Sequence, residues 1–215
     1  MARSCRGREE AVSFERSSRV GLSRRDLARR GAAVGAGALA GGVLFARRSQ
    51  SAAAVPSRTQ DEKIFNFALL LEYLQAAFYS EAVANGALRG DVADFAAVVA
   101  DHERQHVDFL RRALGAKARQ RPQFDFGDAT RDERKFLSTG VLLENLGVAA
   151  YNGQAPSLTK PALSAAAEIV SVEGRHAAWI SDLAGDLPAP HPADPGKSAG
   201  EVVAALQATR FIRKS

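Results

Sequence analysis

The chain has 215 residues, of which 46% are apolar and 25% charged, and it contains a single Cys. This composition excludes an intrinsically disordered chain and a fold held together by internal disulfides. The net charge of +5 does not indicate a nucleic-acid partner, because residues 1–54 hold 11 Arg and four acidic residues, whereas residues 55–215 hold 18 basic and 20 acidic residues.

Residues 1–54 have the layout of an export signal. An Arg-rich segment is followed by a weakly apolar run of 16 residues, 31–46, and then by the small residues 52–54, which suit cleavage. The run is shorter and less apolar than the roughly 20 residues of a membrane-spanning helix. The pair Arg24-Arg25 resembles the twin-arginine signal of bacteria. This resemblance implies a periplasmic or other extracytoplasmic protein, with the twin-arginine translocation machinery as its partner. The membrane is contacted only through the signal segment, and an uncleaved signal would leave the protein anchored there.

From residue 55 onward the pattern is helical, and no segment alternates over a useful length as a strand does. Helix-start signals precede each apolar stretch, and glycines at 86, 115, 153 and 185 lie where helices commonly end. We therefore expect an all-α domain over residues 55–215, a four-helix bundle with a C-terminal strap that carries one short helix. The predicted helices are 61–85, 92–114, 131–152, 160–184 and 199–208.

The lengths of the loops indicate how the four long helices are connected. The first and third connections are short, so the helices on either side of each should be antiparallel neighbours. The middle connection, residues 115–130, has 16 residues. Such a segment spans up to about 53 Å, whereas a 23-residue helix is about 34 Å long. A crossover between helices two and three is therefore permitted.

Polar residues interrupt the apolar faces of all four long helices near their midpoints. One Glu stands alone in the first helix and another in the third, and the second and fourth helices each carry a Glu-x-x-His pair. The apolar residues around each pair follow the three-four spacing of a buried helix face, so these side chains should point into the core. The six residues are Glu72, Glu103, His106, Glu144, Glu173 and His176.

Four buried carboxylates require something that neutralises them, because an unpaired buried charge costs several kcal/mol. Two divalent cations would do so, and the ligand set of carboxylate and imidazole suits iron or manganese, with zinc as an alternative. Each Glu-x-x-His pair would contribute two donors to one ion, while Glu72 and Glu144 would complete the two sites or bridge them. His102 lies about 100° around the helix from Glu103, and we interpret it as a flanking residue and not as a ligand.

The four helices form two similar halves. Glu144 follows Glu72 by 72 residues, and Glu173 follows Glu103 by 70 residues. A tyrosine follows the lone Glu of each half by seven residues, as Tyr79 and Tyr151. These tyrosines are expected to pack in the core, with a contact to a ligand as a further possibility.

The motifs EYLQAAFY and ERQH, together with the full set of six residues, resemble the ferritin-like superfamily of di-metal carboxylate proteins. Among its members they are most similar to bacterial ferritin-like domain proteins related to plant desiccation-associated proteins. The resemblance covers about residues 59–211 and implies a di-iron or di-manganese centre. Glu often stands in these proteins at the position of Gln75, which is therefore a candidate to support a ligand and not a ligand itself.

The reaction is not specified by these residues. Two adjacent redox metals make an oxidase or peroxide-reducing activity available. The alternative is a metal-binding or stress- and desiccation-related protein without catalysis. Monomer and homodimer both remain open, because no exposed apolar stripe marks an interface.

Overall fold

The computed structural model describes residues 54–213, and the export signal at Arg24 and Arg25 lies outside this range. The described residues fold into four long helices and one short one, as the sequence predicts. None of these helices is long and apolar enough to cross a membrane. The helices are α1 (Arg58–Asn85), α2 (Gly90–Leu114), α3 (Glu133–Gln154), α4 (Lys160–Leu183) and α5 (Ala199–Thr209).

Helix ends differ from the predicted ones by a few residues, and the caps explain the shifts. The side chain of Ser57 caps α1 by accepting a hydrogen bond from the backbone of Gln60, so α1 begins at Arg58 and not at 61. The side chain of Asp132 caps α3 in the same way, so α3 begins at Glu133 and not at 131. At α5, Ser198 and Glu201 form a capping box, so this helix begins at Ala199 as predicted.

The segment between α2 and α3 runs back along the whole bundle and forms the crossover that its length permits. Near its start, the amide of Asn66 donates to the carbonyl of Lys117, beside the first turns of α1. Near its end, the amide of Asn85, the last residue of α1, donates to the carbonyl of Thr130. Residues 117 and 130 therefore lie at opposite ends of α1, and α3 runs antiparallel to α1.

Two apolar clusters fill the interior of the bundle and leave the midpoints of the helices between them. One contains stacked aromatic rings, with the ring centroids of Phe78 and Phe136 5.2 Å apart. The other contains Phe65, Leu110 and Ile169. The two Glu-x-x-His pairs lie along α2 and α4 between members of one cluster and members of the other, so apolar packing encloses them on both sides.

The C-terminal segment is packed unusually closely against α3 at Gly153. Gly153 was expected to follow the third helix, but α3 continues to Gln154 and includes it. The reason for a glycine here is space, because a Cβ at Gly153 would lie 1.9 Å from the carbonyl oxygen of Lys197. The backbone of Lys197 in turn donates to the carbonyl of Ala149. The short helix α5 then buries Val202 and Leu206 against the bundle.

Candidate metal centre

The six polar residues predicted from the sequence converge at one level of the bundle. Each of the four long helices contributes, because each polar residue occupies a core-facing position at mid-helix. The four glutamates have no accessible surface, and the exposed fractions of the two histidines are 9% for His106 and 3% for His176. Burial of this many ionisable groups without a neutralising partner is energetically unfavourable.

The donor atoms of these residues form two overlapping groups, and all atoms within a group lie within 4.8 Å of one another. Glu103 and Glu173, the acidic members of the two Glu-x-x-His pairs, belong to both groups. Glu72 and Glu144 each belong to one group only. Of the two roles that the sequence left open for Glu72 and Glu144, the geometry therefore favours completing a site over bridging. The groups are Glu72, Glu103, His106 and Glu173, and Glu103, Glu144, Glu173 and His176.

The hydrogen bonding in this cluster is incomplete in a way that fits metal ligation. Seven side-chain atoms of the six residues are buried yet have no hydrogen-bond partner among residues 54–213. They include both carboxylate oxygens of Glu103 and the Nδ1 atoms of both histidines. The histidine Nδ1 atoms face carboxylate oxygens at 3.1–3.9 Å but make no hydrogen bond with them. Buried polar atoms are almost always hydrogen-bonded, so seven such atoms converging at one place call for a ligand that accepts lone pairs. A divalent cation in each group would do so, and the residues present are compatible with a metal site.

A set of hydrogen bonds outside the cluster holds the carboxylates in place. The hydroxyl of Tyr79 on α1 donates to Glu144 Oε1 on α3 at 2.6 Å. Reciprocally, the hydroxyl of Tyr151 on α3 donates to Glu72 Oε1 on α1 at 2.6 Å. The amide Nε2 of Gln75 lies 3.1 Å from Glu144 Oε1 and 3.4 Å from Glu173 Oε2. Each of the three residues that the sequence marked as supporting candidates thus contacts a carboxylate.

His102 has a contact that the sequence analysis missed. It belongs to neither group of donor atoms, but its Nδ1 atom lies 2.9 Å from Nε2 of His176 across the gap between α2 and α4. The two rings are nearly parallel, with centroids 5.2 Å apart. His102 is therefore more than a flanking residue. The helical offset correctly places it beside the cluster, but it does not reveal which side chain of α4 it meets.

Burial and mutual repulsion shift the pKa values of the cluster in the absence of metal. Burial raises the pKa of Glu103 well above its ordinary value, and the charge of Glu72 raises it further. The pKa of Glu173 is raised for the same reason, with Glu103 as the main repelling charge. Burial alone would lower the pKa of His106, but contacts with three carboxylates outweigh burial and raise it to about 12. The metal-free cluster therefore retains protons that an incoming cation must displace.

These shifts predict that the metal-free protein loses stability as the pH rises. A group whose pKa is higher in the folded state stabilises the fold below its unfolded pKa, and this contribution is lost between the unfolded and the folded value. For Glu103 and Glu173 the loss begins above 4.5, and for His106 it begins above 6.5 and continues towards 12. The slope is about 1.4 kcal/mol per pH unit for each proton that the folded state holds in excess. Burial would raise the pKa of Glu72, but contacts with His106, Glu103 and Tyr151 outweigh burial and lower it. The stability that this provides is lost only as the pH falls below 4.5.

Thermal melts between pH 5.5 and 9 check this expectation. With a chelator present the Tm should fall steadily across the range. With saturating metal the fall should be smaller or reversed, because the cation replaces the protons and binds more tightly as the pH rises. A chelated protein whose Tm rises between pH 5.5 and 8 would contradict the charge arrangement described above.

A family model described as "Ferritin-like domain" matches residues 60–186. The matched range extends from the first turn of α1 to just beyond α4, and it includes all six residues of the cluster. No curated protein matches the chain.

Proposed function

The chain belongs to the ferritin-like domain family, and on that basis we propose that it binds two divalent metal ions, iron or manganese, between its four long helices. The observation that carries this proposal is the pair of overlapping donor groups, with seven buried atoms that make no hydrogen bond within residues 54–213. His106 with Glu72 would hold one ion, and His176 with Glu144 the other. Glu103 and Glu173 would be shared between them. Carboxylate-rich sites with imidazole suit iron and manganese, and zinc is also accommodated by such ligands.

When bound, two adjacent redox metals supply two electrons and open positions for dioxygen or peroxide. The chain's own residues would position the ligands for this chemistry. Tyr79 and Tyr151 hold the two unshared carboxylates, and burial raises the pKa of both phenols well above the ordinary value, so they remain hydrogen-bond donors at neutral pH. The two apolar clusters line the bundle on either side of the site and limit its contact with water. We therefore propose an oxidase or peroxide-reducing activity.

Rapid mixing of the metal-loaded protein with dioxygen, and separately with peroxide, tests that activity. We expect Fe(II) in the protein to be oxidised faster than free Fe(II) under the same conditions, with a Glu103→Gln variant as the site-defective control. If two ions bind but react no faster than free ions, a metal-binding or stress-related role without catalysis becomes the better proposal.

We further propose that the protein is exported in the folded state. The twin-arginine pathway carries folded proteins, so metal could be inserted in the cytoplasm before export. This order matters because affinity alone favours copper and zinc over iron and manganese. The site and the leader are therefore mutually consistent, although Arg24 and Arg25 lie outside the described residues.

Replacing Arg24 and Arg25 together by lysine should retain the protein in the cytoplasm. The double substitution keeps the positive charge, so it separates recognition of the arginine pair from a general requirement for a basic leader. A matched control is the same change at Arg29 and Arg30, which follow the pair and should not affect export. Fractionation of cells expressing each form checks the result, and export of the first double-lysine variant at the wild-type level would contradict the assignment.

A further inference from the structure

The two halves of the chain are related by a spacing of 70 to 72 residues, but the relation breaks at two positions beside the cluster. His102 precedes Glu103, whereas the equivalent residue before Glu173 is Val172. Likewise, Gln75 follows Glu72 by three residues, whereas the residue three after Glu144 is Gly147. The tyrosines, by contrast, are matched in the two halves. Any support supplied by His102 or Gln75 therefore has no counterpart in the other half.

Both unmatched residues support the same group of donors. Gln75 donates to Glu144 Oε1, which already accepts a hydrogen bond from Tyr79. Among residues 54–213, the equivalent Oε1 of Glu72 accepts a hydrogen bond from Tyr151 and from no other residue. His102 contacts Nε2 of His176, which is the outer nitrogen of that ring because Nδ1 faces the carboxylates. No residue within 54–213 makes a hydrogen bond with the outer nitrogen of His106, whose side chain is 11% exposed against 3% for His176.

We infer that the two metal positions are inequivalent, with the Glu144–His176 position binding its ion more tightly and the Glu72–His106 position being the weaker and more open one. This inference rests on the proposed function. His102 acts as a positioning residue, because a histidine that binds metal through Nδ1 carries its proton on Nε2 and needs an acceptor there. Such outer partners fix the tautomer and orientation of the ring, and their loss commonly costs 10- to 100-fold in metal affinity. His102 Nδ1 is placed to be that acceptor for His176, and Val172 offers none to His106.

Titration of the whole exported domain with Mn(II) tests the inference, because free Mn(II) is counted directly by its electron paramagnetic resonance signal. We expect wild type to bind two ions, the first at least tenfold more tightly than the second. His102→Val introduces the residue that the other half has at this position. It should lower the affinity for the first ion about tenfold and leave the affinity for the second unchanged. His102→Asn, whose amide oxygen can accept a hydrogen bond, should restore part of the loss. Val172→Ala, the matched change in the other half, should alter neither.

A double-mutant cycle assigns the effect to one position. The His106→Ala variant retains the Glu144–His176 position. In this background His102→Val should still lower the affinity for the remaining ion tenfold. In a His176→Ala background it should have no further effect. Nitrogen chemical shifts of the His176 ring in the zinc-loaded protein provide a second readout, because they report which ring nitrogen carries the proton.

The outcomes separate the two proposals. The inequivalence would be overturned if the two ions bound with equal affinity. It would also be overturned if His102 were coupled equally to His106 and His176. Neither result would contradict the two-metal centre itself. A wild-type protein that binds no Mn(II), Fe(II) or Zn(II) would overturn the proposed function and the inequivalence together.

Discussion

Glu103→Gln should melt above wild type without metal and below it with metal. Both oxygens of Glu103 are buried and lack hydrogen-bond partners within residues 54–213, and burial together with the charge of Glu72 raises the pKa of this carboxyl. The amide has nearly the same shape and is always neutral. It therefore avoids both the repulsion of a charged Glu103 and the proton uptake on folding that a raised pKa entails, without leaving a cavity. A gain of about 1–3 kcal/mol in the free energy of unfolding corresponds to a rise of roughly 3–10 °C in the Tm of a domain of this size.

With metal present the same substitution removes a ligand shared by both donor groups. A loss of about a hundredfold in affinity for each ion withdraws roughly 5 kcal/mol of stabilisation at saturating metal, which exceeds the gain from reduced repulsion. Glu168→Gln on the exposed face of α4 is the matched control and should change neither Tm appreciably. Equal lowering of the Tm of Glu103→Gln with and without metal would show that Glu103 is purely structural.

The choice of Glu103 for this test follows from the hydrogen bonds. From the sequence alone, the same reversal is expected for Glu72→Ala and Glu144→Ala. The structure makes these poorer tests, because each would leave a buried tyrosine hydroxyl without its acceptor. An unsatisfied buried donor costs about 1–3 kcal/mol and would mask the relief of repulsion.

Gly147→Ala should weaken metal binding without removing any ligand. Gly147 lies in α3, and a Cβ at this position would come within 2.7 Å of Glu173 Oε2 and 3.5 Å of Gln75 Nε2. The carboxylate would have to move, and with it a donor common to both groups. Since Ala is favoured over Gly inside a helix by about 1 kcal/mol, the metal-free variant should remain at least near wild-type stability while affinity falls tenfold or more.

Gly174→Ala provides the matched control. Gly174 is also inside a long helix, next to Glu173 in the chain, but a Cβ there meets no atom within 4 Å. It should raise the Tm by up to a few degrees and leave both affinities unchanged. Parallel melts and Mn(II) titrations of the two variants decide the matter, and equal effects on affinity would show that the close approach at Gly147 is unimportant.

Much of this architecture is readable from the sequence, because it depends on local signals. Helix periodicity, the lengths of the connections and the spacing of the Glu-x-x-His pairs predict the bundle, its crossover and the six residues that meet in its centre. The caps at Ser57 and Asp132 displace predicted helix ends, because several residues near each end are able to cap and local propensity does not rank them.

Contacts between helices are the part that the sequence leaves undetermined. The rotation and separation of α2 and α4 decide which carboxylates belong to both donor groups. They also decide that His102 contacts His176. No local sequence pattern encodes this geometry. A signal for the asymmetry was nevertheless present. When the two halves are compared residue by residue, Gln75 corresponds to Gly147 and His102 corresponds to Val172. These two mismatches mark where the two metal positions differ.

The proposed function requires that the four long helices hold two metal ions per chain. The metal content can be measured by elemental analysis of the folded domain, residues 55–215, after anaerobic loading with Fe(II) or Mn(II) and removal of free metal. We expect two ions per chain in wild type, with binding strongly reduced in Glu103→Gln and unchanged in Glu168→Gln. Less than about half an ion per chain in correctly folded wild type would contradict it.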